Sequence, residues 1–195
     1  MKTVDQKAVD AARIEYGRAA QAAETIRTSN NFEEIKTAWS SFLVSSGRIY
    51  TKLEQGSKTD ESSRTWWGKQ VHERRSDPLL CYLWHARNVD EHTLQNIAEF
   101  KEATVKSAEP TPDDVEALNS ALANEQRPTA ILGLLEVVWA HVKMLDVLDR
   151  GVRYCPPTKR LALEITDTSP ANIVTLALSF FEEMISEAAH LALTR

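Results

Sequence analysis

Hydrophobic residues recur at steps of three and four along the first half of the chain, and this spacing predicts helices. The first stripe lies within residues 4–28 and is rich in alanine, which allows a neighbouring helix to approach closely. The second and clearest stripe consists of Phe32, Ile35, Trp39, Phe42, Ser46, Ile49 and Leu53. Its period is typical of a bundle-like contact. Because only a short polar link separates the two helices, we expect them to pack antiparallel.

Three further helices are predicted from capping signals and apolar spacing. Residues 62–75 place Trp66 and Trp67 on one apolar side. The next helix begins at Asp77-Pro78, a capping residue followed by proline in the first turn, and ends near His92. The last begins at Ser169-Pro170, and its apolar face continues to Leu191.

Between these helices the pattern is mixed. Residues 93–108 are partly extended, and a short helix is predicted at 113–123. In the run 130–148 the second half alternates apolar and polar residues, and Asp149-Arg150-Gly151 forms a turn before a short strand at 152–155. The fold class is therefore mainly α: one domain over residues 1–195, with a helical core at 4–95 and 169–193. A partly extended insertion at about 96–160 carries a small β-hairpin before the C-terminal helix.

Composition narrows the class of protein. The chain has 195 residues, of which 43% are hydrophobic and 26% charged, which is ordinary for a soluble globular domain. Its net charge of −5 gives no overall attraction to nucleic acid, so RNA binding would need a local basic patch. No run of about 18 apolar residues is present. We expect a cytoplasmic protein without a membrane partner.

The candidate chemistry lies in Arg87-Asn88-Val89-Asp90-Glu91-His92, at the polar end of the helix that begins at Pro78. Arginine holds phosphate with a planar fork of donors, and histidine transfers protons near neutral pH. Together they are the minimum equipment for metal-free RNA cleavage. The Arg-x4-His spacing alone is weak, because about one such pair is expected by chance in a chain of this composition.

The context of this pair carries a resemblance. Residues 77–92 read DPLLCYLWHARNVDEH and residues 149–157 read DRGVRYCPP. The first segment resembles the R-N/H/D-x4-6-H signature of the HEPN superfamily. Both segments resemble a group of uncharacterised bacterial proteins of that kind. The resemblance covers roughly residues 30–95 and the end of the chain.

The resemblance implies an HEPN-like up-down bundle of four or five helices that forms a homodimer, with two Arg/His pairs lining one cleft. Active HEPN proteins are metal-independent ribonucleases of toxin–antitoxin, abortive-infection and CRISPR-associated systems. Others are inactive RNA-binding or scaffolding modules. Carried over to this chain, Arg87 would bind the scissile phosphate, His92 would be the general base or acid, and Asn88 would orient Arg87 or donate to phosphate.

Helix geometry sets a condition on this site. A five-residue step rotates by about 140° on an ideal helix. Arg87 and His92 therefore share a site only if the helix ends between them or a second subunit completes it. The alternative is that Arg87 pairs with Glu91 or Asp90 on the helix surface. His85 and His92 share a face, but a rise of about 10 Å between them is too long for one metal ion.

A second feature is the basic, tryptophan-containing stretch that ends at Arg75. Its residues Lys69, Arg74 and Arg75 directly precede the motif helix and are candidate RNA-binding residues. The alternative is a solvated helix face above core tryptophans.

These sequence features are compatible with two functions. One is a metal-independent endoribonuclease of a toxin–antitoxin, phage-defence or stress system. Such an enzyme would use no cofactor or metal and would have an antitoxin or another protein as its partner. The other is a non-catalytic helical dimer acting as a protein-interaction or RNA-binding module.

Overall fold

The computed structural model describes residues 4–93, 95–107, 109–123, 135–138 and 141–193. By contacts between residues, the chain divides into two compact units. The first comprises Met1–Glu99 with Val142–Arg195, and the second comprises Phe100–His141. The first unit contains the helical core and the candidate site residues.

The predicted helices are confirmed with small changes at their ends. Those of the first unit are α1 (Gln6–Thr28), α2 (Phe32–Gly56), α3 (Glu61–Ser76), α4 (Pro78–His92) and α6 (Pro170–Leu193). The short helix α5 (Pro112–Ala123) lies in the second unit. In the ranges that the structure describes, no helix has both the length and the apolar character needed to cross a membrane.

Helices α1 and α2 pack antiparallel, as the short link predicts. The backbone N–H of Asp5, which caps the start of α1, donates to the carbonyl of Gly56 at the end of α2 (3.1 Å). A Cβ atom on Gly56 would clash with the Cβ of Ala8. Glycine at position 56 and the alanines of α1 therefore set how closely the two helices approach.

Helix α4 forms as its sequence signals predict. The carboxylate of Asp77 accepts a hydrogen bond from the N–H of Leu79 (2.8 Å), and Pro78 occupies the first turn. The helix continues without a break to His92, and the Thr93 N–H still bonds the carbonyl of Val89 (2.9 Å). Its buried residues are Leu79, Leu80, Tyr82, Leu83, Ala86 and Val89.

The extended segments are more numerous than predicted. The strands are β1 (Ala98–Lys101), β2 (Thr104–Ser107), β3 (Leu135–Val138), β4 (His141–Met144), β5 (Val147–Asp149), β6 (Val152–Tyr154), β7 (Lys159–Arg160) and β8 (Leu163–Glu164). They form the two-stranded pairs β1–β4, β2–β3, β5–β6 and β7–β8. Within the run 130–148, residues 135–138, 141–144 and 147–148 belong to three different strand pairs. Residues 130–134 and 139–140 lie outside the described residues.

The predicted hairpin is confirmed as β5–β6. Its two strands pair antiparallel, with Asp149 opposite Val152 and Val147 opposite Tyr154. Between them, Arg150 and Gly151 have φ angles of 51° and 82°. Positive φ at both central residues is the geometry of the two-residue turns that match the twist of a hairpin. Glycine adopts it freely, whereas arginine adopts it with strain.

Candidate functional site

The polar residues of α4 divide between two sides of the helix. Since an α-helix advances about 100° per residue, Asn88 and His92 lie within about 60° of His85 around the axis, and Arg87 lies on nearly the opposite side. The side that carries His85 contacts the β5–β6 hairpin, and the side that carries Arg87 contacts α2. We call these the hairpin face and the α2 face of α4.

The hairpin is fixed to α4 by specific hydrogen bonds outside the polar site. The Tyr82 hydroxyl on α4 donates to the carbonyl of Leu145 (2.8 Å). The side chain of Gln95 donates to the Asp146 carbonyl (2.9 Å) and accepts from the Leu148 N–H (3.2 Å). Val147, the first residue of β5, is fully buried. These contacts position the start of β5 and therefore the residue that ends it, Asp149.

His85 is held from two directions by the hairpin. Its Nδ1 lies 2.7 Å from Oδ2 of Asp149. Its ring stacks on Tyr154 with the centroids 3.6 Å apart and the planes at 9°. The Nε2 atom makes no hydrogen bond within the described residues and is not buried. The imidazole is thus fixed in position and orientation while one ring nitrogen remains open.

Asn88 links Asp149 to Arg87. The amide Nδ2 of Asn88 donates to Oδ2 of Asp149 (3.1 Å), and its Oδ1 accepts from a terminal nitrogen of Arg87 (3.3 Å). The reverse orientation of the amide would place oxygen against a carboxylate and NH₂ against a guanidinium. The amide orientation is therefore set by its neighbours. That Asn88 orients Arg87 or donates to phosphate stays a prediction.

The hydrogen bonds around Asp149 also fix its charge. The bond from His85 is the main cause that lowers the pKa of the Asp149 carboxyl, and the Asn88 amide lowers it further against an opposing effect of burial. Asp149 is therefore ionised at neutral pH and acts only as an acceptor. Its partner Nδ1 must then carry a proton, and in the tautomer of the ring that is protonated only there, Nε2 presents a lone pair.

Arg87 has close partners on its own side of the helix. A terminal nitrogen pairs with Oε2 of Glu91 at 2.5 Å, the i+4 pairing that helix spacing offered as the alternative. The Nε atom is buried and has no hydrogen-bond partner among the described residues. It lies against α2, where a Cβ on Gly47 would be 2.9 Å away. The absence of a side chain at Gly47 thus makes room for Arg87.

His92 is the last residue of α4 and is exposed. Because the helix does not end between Arg87 and His92, the first of the two conditions for a shared site is not met within one chain. The five-residue step leaves the two side chains about 140° apart around the axis. The Arg87–His92 pairing stays a prediction that requires a second copy of the chain.

The three predicted RNA-binding residues of α3 differ in their surroundings. Lys69 and Arg75 are exposed. The guanidinium of Arg74 instead lies 3.7 Å from the ring centroid of Trp84 and 5.1 Å from that of Tyr50. Burial lowers the pKa of Arg74. Its flat face is therefore occupied by a cation–π contact within the protein, which leaves Lys69 and Arg75 as the accessible pair.

Sequence reasoning missed Asp149 and Tyr154 and placed His85 only as a neighbour of His92. One signal was present, because the segments 77–92 and 149–157 that carry the resemblance are the two segments that meet at this site. On an antiparallel hairpin, Asp149 and Tyr154 lie on the same face as diagonal neighbours. Among the residues described, no group of three or more His, Cys, Asp or Glu side chains is placed to hold a metal ion.

The site therefore combines an oriented imidazole, an ionised carboxylate, an amide and an arginine in one chain of contacts. Such a set can transfer a proton and bind an anion. Comparisons of the chain with protein-family models, with curated proteins and with solved structures gave no match.

Proposed function

We propose that the protein is an HEPN-like, metal-independent endoribonuclease of a toxin–antitoxin, phage-defence or stress system. The observation that carries this proposal is the continuous set of contacts from Arg87 through Asn88 and Asp149 to His85. It joins a phosphate-binding group to groups that transfer protons, which is what cleavage at a ribose 2′-hydroxyl requires. The resemblance of residues 77–92 to the HEPN signature supports the same substrate.

In this proposal Arg87 binds the scissile phosphate and stabilises the negative charge that develops on it. His92 exchanges a proton with the ribose 2′-hydroxyl or the leaving oxygen. Two copies of α4 in a homodimer bring Arg87 and His92 to one cleft. Lys69 and Arg75 contact the RNA backbone beside it.

The test is cleavage of total cellular RNA by the purified chain in the presence of EDTA. Wild type is expected to produce 2′,3′-cyclic phosphate and 5′-hydroxyl ends, and His92→Ala and Arg87→Lys are expected to lose at least 100-fold in rate. Arg87→Lys keeps the charge but removes the planar fork. His190→Asn, at an exposed position in the last turn of α6, is the control and should cleave like wild type. Equal rates for wild type and His92→Ala would remove the assigned role of His92, and no cleavage by wild type would remove the proposal.

The second candidate function is a non-catalytic helical dimer that binds a protein partner or RNA. Two observations favour it. The fork of Arg87 is already occupied by Glu91. An open cleft of about 850 Å³ also lies between α1 and α2, with Arg18 and Arg48 along it and Glu33 and Glu34 near the helix link. This function predicts stable dimer mass in solution, no RNA cleavage, and no effect of His92→Ala on binding.

A further inference from the structure

His85 is built into the fold in a way that a surface histidine is not. The side chain is 22% exposed, and Asp149 and Tyr154 hold it from the edge and the face of the ring. Both partners come from the hairpin, some 60 residues later in the chain. A histidine whose Nδ1 donates to a carboxylate, with Nε2 open, is the arrangement that prepares an imidazole to accept a proton.

We propose that His85 is the general base of this site, with Asp149 and Tyr154 as its positioning residues and His92 as the acid on the same helix face. The inference rests on the proposed ribonuclease function and deepens it. The substrate is single-stranded RNA with a free 2′-hydroxyl. The assignment differs from the one that the resemblance implies, because it needs the hairpin and does not need Arg87 and His92 to share a helix face.

The spacing of the two histidines fits this division of roles. His85 and His92 are seven residues apart, so they lie within about 20° of each other and about 10 Å apart along the axis. That separation is too long for a shared metal. An in-line displacement places the attacking oxygen, the phosphorus and the leaving oxygen in a row. The length of that row, with a hydrogen bond of about 3 Å at each end, is close to the separation of the two histidines. Asn88 lies between them on this face.

The chemical step balances without a metal or a co-reactant. Nε2 of His85 removes the proton of the 2′-hydroxyl, and the 2′-oxygen forms a bond to phosphorus. The bond from phosphorus to the 5′-oxygen breaks, and protonated His92 gives its proton to that oxygen. The products are a 2′,3′-cyclic phosphate and a 5′-hydroxyl. Asp149 stabilises the imidazolium that forms on His85 and does not take the proton itself.

His85→Asn separates the two roles of the ring. The amide NH₂ of asparagine takes the place of Nδ1 and keeps the hydrogen bond to Asp149, but no atom takes the place of Nε2. With a short labelled single-stranded RNA in EDTA, we expect His85→Asn to lower kcat at least 100-fold with little change in KM. Asp149→Asn should lower kcat at least tenfold. His190→Asn, the same substitution on α6, should match wild type.

A nuclear magnetic resonance measurement on the wild-type protein does not depend on the variants folding. The ¹⁵N shifts of His85 should show Nδ1 protonated and Nε2 free, and adding the same RNA with 2′-O-methyl groups should shift the ring signals of both His85 and His92. In Asp149→Asn the tautomer preference should be lost. A merely structural His85 would keep its ring signals unchanged when RNA is added.

The outcomes distinguish this inference from the proposed function. If wild type cleaves RNA, His92→Ala is inactive and His85→Asn retains full kcat, the ribonuclease function stands and the role of His85 is wrong. If the ring signals of His85 do not respond to the methylated RNA while those of His92 do, the same conclusion follows. If wild type does not cleave RNA, both proposals are overturned.

Discussion

Two carboxyl groups on opposite sides of α4 experience opposite environments. Asp90 on the α2 face accepts a hydrogen bond from Ser40 (3.1 Å), but burial outweighs this bond and raises the pKa of its carboxyl. Asp149, from the hairpin, accepts from His85 and Asn88, and these bonds lower its pKa. Ionisation is therefore unfavourable for Asp90 on the α2 face and favoured for Asp149 on the hairpin face.

The same contrast holds for the basic groups. On the α2 face, Arg87 fills the space left by Gly47, and its buried Nε has no hydrogen-bond partner in the part of the chain that the structure describes. On the hairpin face, Asp149 and Tyr154 contact the ring of His85, and its Nε2 is open. The polar residues on the α2 face pack against α2, whereas those on the hairpin face hold an imidazole in a fixed orientation. Substitutions on the α2 face should therefore have the larger effects on stability.

The largest stability effect is expected from the apolar part of the α2 side. Leu83, which is 3% exposed, lies with Leu43 and Phe181 around a small void between helices. Leu83→Ala should lower the free energy of unfolding by about 2–5 kcal/mol, measured by urea denaturation. Leu148→Ala on the outer side of the hairpin, where the leucine is 54% exposed, should change it by less than about 0.5 kcal/mol. Equal losses would mean that the hairpin contributes as much packing as α2.

The next effect concerns the close approach of Arg87 to α2. A Cβ on Gly47 would lie 2.9 Å from Nε and 3.3 Å from Cδ of Arg87. Gly47→Ala should therefore destabilise the protein by about 1–3 kcal/mol. Most of this loss should disappear when the substitution is made in an Arg87→Ala background.

The matched control is Gly17→Ala on α1, where no described atom outside the local helix backbone lies within 4 Å of the new Cβ. It should stabilise the protein by about 0.5–1 kcal/mol, because alanine has the higher helix propensity. If Gly47→Ala costs the same with and without Arg87, the arginine is not what occupies the space beside Gly47.

The pH dependence of stability should differ in sign between the two carboxyl groups. The folded state lowers the pKa of Asp149, so its ionised form stabilises the fold above about pH 4, the pKa of an unfolded aspartate, and this contribution is lost as the pH falls through the folded value. Asp149→Asn should therefore lower stability by about 1 kcal/mol at pH 7, with the difference from wild type shrinking below pH 4. His85, Asn88 and Arg150 are the polar groups that face this carboxyl.

For Asp90 the folded state raises the pKa, so ionisation weakens the fold at neutral pH and the penalty is relieved as the pH falls to the unfolded value. Asp90→Asn keeps an acceptor for Ser40 and removes the charge. It should leave the protein as stable as wild type at pH 7 or up to about 1 kcal/mol more stable. Chemical denaturation of both variants between pH 3 and pH 7 checks the pair, and parallel curves would contradict the contrast between the two faces.

The smallest stability effect is expected from Glu91, whose carboxylate pairs with Arg87. Glu91→Gln should cost less than about 0.5 kcal/mol, as for other i,i+4 pairs. If Arg87 binds RNA, the same change should raise the affinity for the 2′-O-methyl RNA a few-fold in a filter-binding assay. Glu183→Gln, at an exposed position of α6, removes the same charge elsewhere and should not change the affinity. An unchanged affinity in Glu91→Gln would assign the Arg87–Glu91 pair to packing alone.

Local signals in the sequence predicted much of the fold. The Asp77-Pro78 cap, the stripe from Phe32 to Leu53 and the Ser169-Pro170 start each act within a few residues, so each could be recognised without knowing the tertiary structure. The Arg150-Gly151 turn was recognised for the same reason. The separate pairs of β1 to β4 were not, since pairing between short strands distant in the chain leaves little local signal.

The candidate site was predicted only in part. Arg87, Asn88 and His92 came from one segment, and the Arg87–Glu91 contact was among the alternatives that helix spacing offered. Asp149 and Tyr154 could not be assigned to His85, because no periodicity relates residues more than 60 positions apart. The contact of Arg74 with the ring of Trp84 could not be predicted either, since the charge of a residue does not indicate which ring its side chain covers.

Capping signals and apolar spacing predict that α4 begins at Pro78 and ends near His92, because they act within the segment, and the helical repeat gives the rotation between Arg87 and His92 once the helix is unbroken. Which of its polar residues pack against α2 and which meet the hairpin follows from the tertiary packing alone. That choice depends on where Tyr82 and Gln95 attach the chain at Leu145 to Leu148. As a result, the carboxylate of Asp149 and the ring of Tyr154 hold His85 in place.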